Sequence, residues 1–197
     1  MSTVYSTASM SLDGYIAYGD DDPGALFDWY QAGDVEVTTA MSSLTFHLSR
    51  PSADYVADLT ANLGALVVGR RLFDVTDGWT GRHPYDVPVV VLTHEPPVDW
   101  HYPGEENFHF VTGGIEAAVE KARSVATGRD VSVAAGEVAT QALEAALLDE
   151  VRIDLVPVVL GAGRPYFVGG ATHELGEPTT LIQAERVTHL VYPVPRA

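Results

Sequence analysis

The stretch ALVVGRR, residues 65–71, decides the fold class of this chain. Its first four residues are a continuous apolar run, which is typical of a short β-strand buried on both faces. Gly69 ends the run, and a helix is predicted to begin at Arg70 and Arg71. A buried strand that turns at a glycine into a helix is the repeating unit of parallel α/β sheets.

The same alternation of strand and helix extends along most of the chain. Apolar runs predict strands at residues 3–10, 65–68, 87–92, 107–111, 131–135 and 151–160. Helices are predicted at 25–31, from Pro51-Ser52 to about 62–64, at 115–125 and at 137–148. Residues 179–183 and 186–192 are predicted to form an antiparallel strand pair, and the structure of residues 34–49 is ambiguous from sequence. Pro157 inside the strand 151–160 indicates a bulge or an edge position, because proline cannot donate to the ladder.

This order predicts an α/β fold, with a mostly parallel central sheet, helices on both faces and an antiparallel C-terminal strand pair. The length of 197 residues is enough for a single domain with its own core, so we expect one domain over residues 1–197. Ligands of such sheets bind beyond the carboxyl ends of the strands.

Composition excludes several classes of function. The chain has no cysteine, which excludes disulfides and thiolate metal sites. Its formal net charge is −16, and such a surface repels phosphate backbones, so a nucleic-acid partner is not expected. No signal peptide or apolar run long enough to span a bilayer is found, so we expect a cytoplasmic protein without a membrane partner.

Three predicted strands end in residues suited to an anion or a nucleotide. Gly69 lets a ligand approach the backbone, and Arg70 with Arg71 either binds an anion or is a solvated pair. Leu92-Thr93-His94 ends the strand 87–92, and Ala134-Ala135-Gly136-Glu137 carries small residues into a helix. Together these ends predict a dinucleotide along one edge of the sheet, although no Gly-x-Gly-x-x-Gly fingerprint is present.

Four segments of the chain resemble a known family. They are SLDGYIA at 11–17, GRRLF at 69–73, LTH at 92–94 and the long segment 148–167. These segments are similar to the pyrimidine reductase domain of riboflavin biosynthesis, which belongs to the dihydrofolate reductase superfamily. The resemblance covers nearly the whole chain and implies a dihydrofolate-reductase-like fold that binds NADPH.

The resemblance also implies the residues that hold the cofactor. Arg70 and Arg71 would bind phosphates, Thr93 and His94 would lie near the adenosine 2′-phosphate, and Ser9 and Ile16 would flank the nicotinamide. Where the family often has two glycines, this chain has Ala135-Gly136. The full implied set is Ser9, Ile16, Gly69, Arg70, Arg71, Leu92, Thr93, His94, Ala135, Gly136, Glu137, Val138 and Ala139.

Residues for the substrate are less distinctive. Asp54 at the start of a helix is spaced like the carboxylate of dihydrofolate reductases and is the catalytic candidate, or else an exposed helix-start acid. Asp13 is either a substrate ligand or a turn residue that bonds its own backbone. Trp29 is either a wall of the substrate pocket or part of the core. The histidines show no metal-ligand spacing, so no metal site is predicted.

The function that the resemblance implies is hydride transfer from NADPH to a small pterin-, folate- or pyrimidine-like substrate. The alternatives are a module that binds the nucleotide without turnover, and an interaction protein with an empty pocket. We also expect a homodimer, paired through the long apolar strand 151–160, because an exposed strand of this kind favours association with a second copy.

Overall fold

The computed structural model describes residues 2–195. Its strands are β1 (Val4–Ser11), β2 (Tyr15–Ala17), β3 (Val35–Thr38), β4 (Thr45–Leu48), β5 (Leu63–Gly69), β6 (Val89–Leu92), β7 (Phe108–Val111), β8 (Asp130–Ala134), β9 (Glu150–Val156), β10 (Arg164–Pro165), β11 (Thr180–Ala184) and β12 (Val187–Pro193). Its α-helices are α1 (Arg50–Asn62), α2 (Arg70–Val75), α3 (Ile115–Val125) and α4 (Glu137–Glu144). Shorter helical turns lie at Gly24–Gln31, Asp77–Gly81 and Glu105–Asn107.

Eight strands form the central sheet in the order β11-β12-β9-β1-β8-β5-β6-β7. The six strands from β9 to β7 are parallel to one another, whereas β12 is antiparallel to β9 and β11 is antiparallel to β12. The predicted mostly parallel sheet with an antiparallel C-terminal pair is therefore confirmed. The valine-rich strands β5 and β6 lie inside this sheet, as their apolar sequences predict.

Helices cover both faces of the sheet, as predicted. On one face α3 and α4 pack onto the main core, which includes Val67 and Val133. The buried positions of α3 are Ile115, Ala118, Val119 and Ala122, which recur at helical spacing and form a single stripe. On the other face α1 and the turn Gly24–Gln31 cover a second core.

The prediction for the strand 151–160 is wrong in its extent and its position. The strand β9 ends at Val156, before Pro157, and it has β1 and β12 as neighbours on its two sides. A proline in this internal strand would remove a ladder hydrogen bond, so the strand stops where the proline begins. Neither a bulge nor an edge is needed to explain Pro157.

Two further elements differ from the sequence prediction. Helix α4 ends at Glu144 rather than at residue 148, because Ala146 adopts a left-handed backbone with φ of +54°. The Leu147 N–H then donates to the Ala142 carbonyl at 2.9 Å, which closes the helix end without a glycine. The unassigned segment 34–49 contains an antiparallel hairpin of β3 and β4.

Candidate functional site

The carboxyl ends of four neighbouring strands, β1, β8, β5 and β6, form one edge of the sheet. The register aligns Thr7 of β1 with Ala134 of β8, and Gly69 of β5 with Leu92 of β6. The residues predicted to bind the cofactor lie at or directly after these ends, apart from Ile16, which lies on the short strand β2. The structure therefore brings the predicted residues to one edge, and their role toward a cofactor stays a prediction.

The turn between β8 and α4 leaves room for a ligand. Gly136 has φ of +94°, and a Cβ atom built on it would meet no atom within 4 Å. Its own N–H donates to the Tyr166 carbonyl at 2.8 Å. The amides of residues 137–139 begin α4 without a capping side chain, so they are the donors that remain for a ligand.

Gly69 serves a different purpose from Gly136. A Cβ atom at Gly69 would lie 3.0 Å from Cγ2 of Val138, so a larger residue would push β5 and α4 apart. The end of β5 is thereby held close to the start of α4. This close packing places Arg70 and Arg71 beside the open turn.

Arg70 connects the start of α2 to the end of β6. Its Nε donates to Asp74 at 2.7 Å, and its Nη1 donates to the Glu95 carbonyl at 2.7 Å. The buried hydroxyl of Thr93 donates to the same carbonyl at 2.8 Å. His94 is exposed beside them. The predicted 2′-phosphate residues thus form one small polar group at the outer end of the edge.

Arg71 is already paired with a carboxylate. Its guanidinium binds both oxygens of Asp21, with Nη2 at 2.6 Å from Oδ2. Arg164, on β10, donates to the Oδ1 atom of the same aspartate at 2.8 Å. The two guanidinium groups, that of Arg71 first, hold the pKa of Asp21 below its usual value. Arg164 was not foreseen from the sequence, because it lies 93 positions from Arg71.

Among the remaining predicted cofactor residues, the apolar ones pack at the edge of the main core and Ser9 lies buried near them. Ile16, Leu92 and Ala135 are partly buried against it. Ser9, near the end of β1, is almost fully buried, and its hydroxyl accepts a hydrogen bond from Nε1 of Trp29 at 3.0 Å. The indole is 1% exposed, so Trp29 belongs to the core and also covers Ser9.

A buried polar network lies on β9 and β12, the two strands beyond β1 in the sheet. Asp154 on β9 is the register partner of Ser9 on β1 and of His189 on β12. Nδ1 of His189 lies 2.6 Å from Oδ1 of Asp154, and its Nε2 lies 2.9 Å from the Ser52 hydroxyl. Ser49 in turn donates to Ser52 at 3.3 Å. We call Ser49, Ser52, His189 and Asp154 the Asp154 network.

Burial makes this network unusual. The side chains of His189 and Asp154 are 0% and 11% exposed, although an isolated charge in such a place is strongly disfavoured. With Nδ1 of His189 protonated, each group can donate to the next, from Ser49 through Ser52 and His189 to the carboxylate. In that tautomer the network runs in one direction, from Ser49 at the partly exposed N-terminal end of α1 to Asp154.

Aromatic rings surround the Asp154 network. Tyr55 stacks on the ring of His189, with centroids 4.3 Å apart, and its buried hydroxyl lacks a hydrogen-bond partner among the described residues. Trp29 meets the same imidazole edge-on. Burial, followed by the charge of Asp154, raises the pKa of Tyr55 and of Tyr85 above the ordinary value. These phenols are therefore neutral.

The two acids predicted to meet the substrate lie elsewhere. Asp54 has a side chain that is 68% exposed, and it forms a long ion pair of 3.7 Å with Arg50. Asp13 is exposed, and its carboxylate accepts hydrogen bonds from the Ser11 hydroxyl and from the amides of Leu160 and Gly161. The Ser11 bond, with those amides, lowers the pKa of Asp13. The geometry thus gives Asp13 a turn role, and substrate binding by either acid stays a prediction.

Within residues 2–195, no group of three or more histidine, aspartate or glutamate side chains is arranged to hold a metal ion. No helix in that part of the chain has the length and apolar character needed to cross a membrane.

Comparison with known proteins defines the class. The fold resembles that of a putative riboflavin biosynthesis protein from Shewanella sp. PV-4, with a TM-score of 0.75 and 22% identity over 98% of this chain and 99% of that one. A pyrimidine reductase-like protein from Corynebacterium diphtheriae gives a TM-score of 0.67 and 14% identity over 100% and 93% of the two chains. Dihydrofolate reductase from Enterococcus faecalis, complexed with NADP(H), gives a TM-score of 0.59 and 15% identity over 98% of this chain and 97% of that one. The fold is therefore that of the dihydrofolate reductase class.

The family follows from the sequence itself. A family model described as the RibD C-terminal domain matches residues 2–190. The chain belongs to this family, as the resemblance of its motifs implied. A search of curated proteins finds no match.

Proposed function

We propose that this protein is an NADPH-dependent reductase that transfers a hydride to a small heterocyclic substrate of the pterin, folate or pyrimidine type. The observation that carries the proposal is the line of four strand ends, which places Ser9, Gly136, Arg71 and Thr93 along one edge of the sheet. This line suits a dinucleotide, because small residues, free amides and cations follow each other in one direction.

The residues present fit such a cofactor. The open turn at Gly136 and the amides of residues 137–139 would receive the pyrophosphate, and Arg70 and Thr93 would face the 2′-phosphate. NADPH, when bound, supplies the hydride from its nicotinamide ring. Ser9 and Ile16 would lie at that end of the edge, next to the Asp154 network.

The Asp154 network is proposed to meet the substrate. Reduction of a C=N or conjugated C=C bond adds a hydride to one atom and a proton to another. Asp154 would bind a polar edge of the heterocycle, and Ser49, Ser52 and His189 would connect it to the surface as a proton route. Trp29 and Tyr55 would exclude water from the same place.

Steady-state oxidation of NADPH tests the function directly. The decrease in absorbance of NADPH at about 340 nm would be followed with three candidate substrates. They are 7,8-dihydrofolate, 7,8-dihydrobiopterin and 5-amino-6-(5-phosphoribosylamino)uracil. Turnover of any of them supports the reductase. Tight NADPH binding with no turnover of these compounds favours the alternative, a nucleotide-binding module without a reaction of its own.

We predict that NADPH binds more tightly than NADH. The reason is the group of Arg70, Thr93 and His94, which suits one additional phosphate. Arg70→Ala should weaken NADPH binding by ~1.5–3 kcal/mol and NADH binding by much less, if a charge-assisted bond is lost. Calorimetric titration of both nucleotides measures this.

Arg82→Ala is the matched control for Arg70→Ala. Arg82 forms the same kind of i,i+4 ion pair, with Asp86 at 2.8 Å, but it lies outside the cofactor edge. Its replacement should leave the affinity for both nucleotides unchanged. Equal affinity of the native protein for NADPH and NADH would contradict the proposed role of Arg70.

We also propose a homodimer, on a different basis from the strand 151–160, because β9 is internal to the sheet. Leu12 and Val159 are 58% and 68% exposed, and they lie on segments joined by the bond from Leu12 N–H to the Val158 carbonyl. A second copy could cover this apolar surface.

Light scattering at low and moderate salt measures the mass. We expect a dimer at moderate salt, where the repulsion between subunits of charge −16 is screened. Val159→Glu should shift the mass toward the monomer, and Val98→Glu, at another exposed valine, should not. A monomeric native protein at both salt concentrations would rule the dimer out.

A further inference from the structure

We infer that Arg71 and Arg164 together form a binding site for a phosphate group, and that Asp21 occupies this site until the phosphate displaces it. The site deepens the proposed function, since it adds Arg164 to the phosphate-binding residues and gives the segment 19–24 a role in ligand entry. Only the source of the phosphate rests on that function.

The first observation is the convergence of two cations on one carboxylate. Arg71 begins α2 and Arg164 lies on β10, yet their Nε atoms both lie 2.8 Å from Oδ1 of Asp21. Two guanidinium groups carry two positive charges, whereas one carboxylate supplies a single negative charge. A phosphate dianion would match both the charge and the forked geometry better than the aspartate does.

The second observation is that the arginines stay accessible while the aspartate does not. The side chains of Arg71 and Arg164 are 61% and 39% exposed, and that of Asp21 is 16% exposed. A ligand can therefore reach the guanidinium groups from solvent. Asp20 and Asp22 add negative charge to the same segment, so the pair offers an anion two exposed guanidinium groups and not a positive surface.

The third observation is the location of the pair. Arg71 follows directly after the end of β5, next to Arg70. Arg164 lies two residues before Tyr166, whose carbonyl accepts the N–H of Gly136. Arg71 is thus two residues from Gly69, which packs against Val138, and Arg164 is two residues from Tyr166, which binds Gly136; both contacts are at the open turn after β8, where the proposed cofactor would place its pyrophosphate.

Asp21 is held in a manner that allows its release. Its backbone is left-handed, with φ of +72°, which non-glycine residues adopt only at a cost. The segment is anchored at its base, where Tyr18 and Asp22 share a backbone hydrogen bond of 2.9 Å. Arg164 also donates to the Gly19 carbonyl at 2.9 Å. Release of Asp21 therefore breaks the bond from Nε of Arg164 to Asp21 and leaves the bond from Arg164 to Gly19 in place.

The neighbouring acids of the segment do not share this contact. Asp22 accepts the N–H of Gly24, and Asp20 accepts the N–H of Asp22. Within residues 2–195 neither forms an ion pair with Arg71 or Arg164. Asp20 is thus a matched control, with the same charge and the same segment but no contact with the arginines.

The test compares Asp21→Asn, Arg164→Gln and Asp20→Asn in the full chain by calorimetric titration. Asparagine keeps the shape of aspartate and tolerates a left-handed backbone, so Asp21→Asn removes the competing charge with little strain. The probes are inorganic pyrophosphate, NADPH and ribose 5-phosphate. We expect Asp21→Asn to bind a phosphate probe about three- to tenfold more tightly, because the site is no longer occupied.

Arg164→Gln should lower the affinity for the same probe by about tenfold, and Asp20→Asn should change that affinity by less than about twofold. If Asp21→Asn binds NADPH more tightly but ribose 5-phosphate no more tightly, the site belongs to the cofactor. If it binds ribose 5-phosphate more tightly but NADPH no more tightly, the site belongs to a phosphorylated substrate. If NADPH fails to bind but pyrophosphate follows the expected pattern, the proposed function is lost and the anion site stands. Unchanged affinity of Asp21→Asn for all three probes would overturn the inference.

Discussion

Asp154→Asn is expected to lower turnover of a substrate found in the oxidation assay by ~10²–10⁴-fold, with little change in NADPH affinity. The carboxylate lies at the buried end of a chain of hydrogen bonds, opposite Ser9, where the hydride donor is proposed to lie. Asparagine can still accept the bond from Nδ1 of His189, so the change removes charge and proton exchange more than shape. The measurement is kcat and KM as a function of pH.

Asp54→Asn is the comparison for this prediction. The sequence makes Asp54 either a catalytic candidate or an exposed helix-start acid, and the structure places its side chain 68% exposed beside Arg50. We expect its replacement to leave kcat within a few fold of the native value. A large loss of kcat for Asp54→Asn with a small loss for Asp154→Asn would mean that Asp54, not Asp154, has the catalytic role.

A loss of folding must be separated from a loss of chemistry. Asp154→Asn changes a buried pair, so its unfolding free energy is expected to fall by about 1–3 kcal/mol. Urea unfolding measures this, and NADPH affinity shows whether the edge of the sheet is intact. A variant that binds NADPH normally but turns over at the native rate would contradict the proposed role of Asp154.

Gly33→Ala is expected to have the largest effect on stability. A Cβ atom at Gly33 would lie 2.0 Å from the carbonyl carbon of Leu48 and 2.1 Å from the nitrogen of Ser49. These are backbone atoms at the junction of β4 and α1, and they cannot rotate away as a side chain could. The unfolding free energy should fall by roughly 3 kcal/mol or more, since either the junction or the turn must shift.

Gly19→Ala is the matched control for Gly33→Ala. Gly19 does not require a left-handed backbone, and an added Cβ would meet no atom within 4 Å. Its replacement should change the unfolding free energy by less than about 1 kcal/mol. Urea unfolding of both variants gives the comparison. Equal stability of the two variants would mean that the packing at Gly33 is looser than the structure indicates.

The parts of the fold that could be predicted are those with local signals. The run 65–68 and its glycine turn reveal β5 without reference to any other part of the chain. The end of α4 could not be predicted in the same way, because alanine rather than glycine adopts the left-handed position at residue 146. The strands β3 and β4 do alternate apolar and polar residues, as VEVT and TFHL, but each has only four residues, so the pattern is too short to predict a hairpin.

The residues of the candidate site also divide into those with a local sequence signal and those without one. Arg71, Thr93 and Gly136 each follow a strand, so a sequence pattern could place them at the sheet edge. Asp154 is one of three charged residues that alternate along β9, and its partner His189 is 35 positions away, so only the pairing of β9 with β12 distinguishes it. The pairing of Asp21 with Arg71 spans 50 positions and has no local signal.

A crystal structure of the protein soaked with NADPH tests the central claim most directly. We predict density for the dinucleotide along the ends of β1, β8, β5 and β6, with the pyrophosphate at the amides of residues 137–139 and the nicotinamide beside Ser9. NADPH bound at another surface, or an edge that stays empty at saturating NADPH, would contradict it.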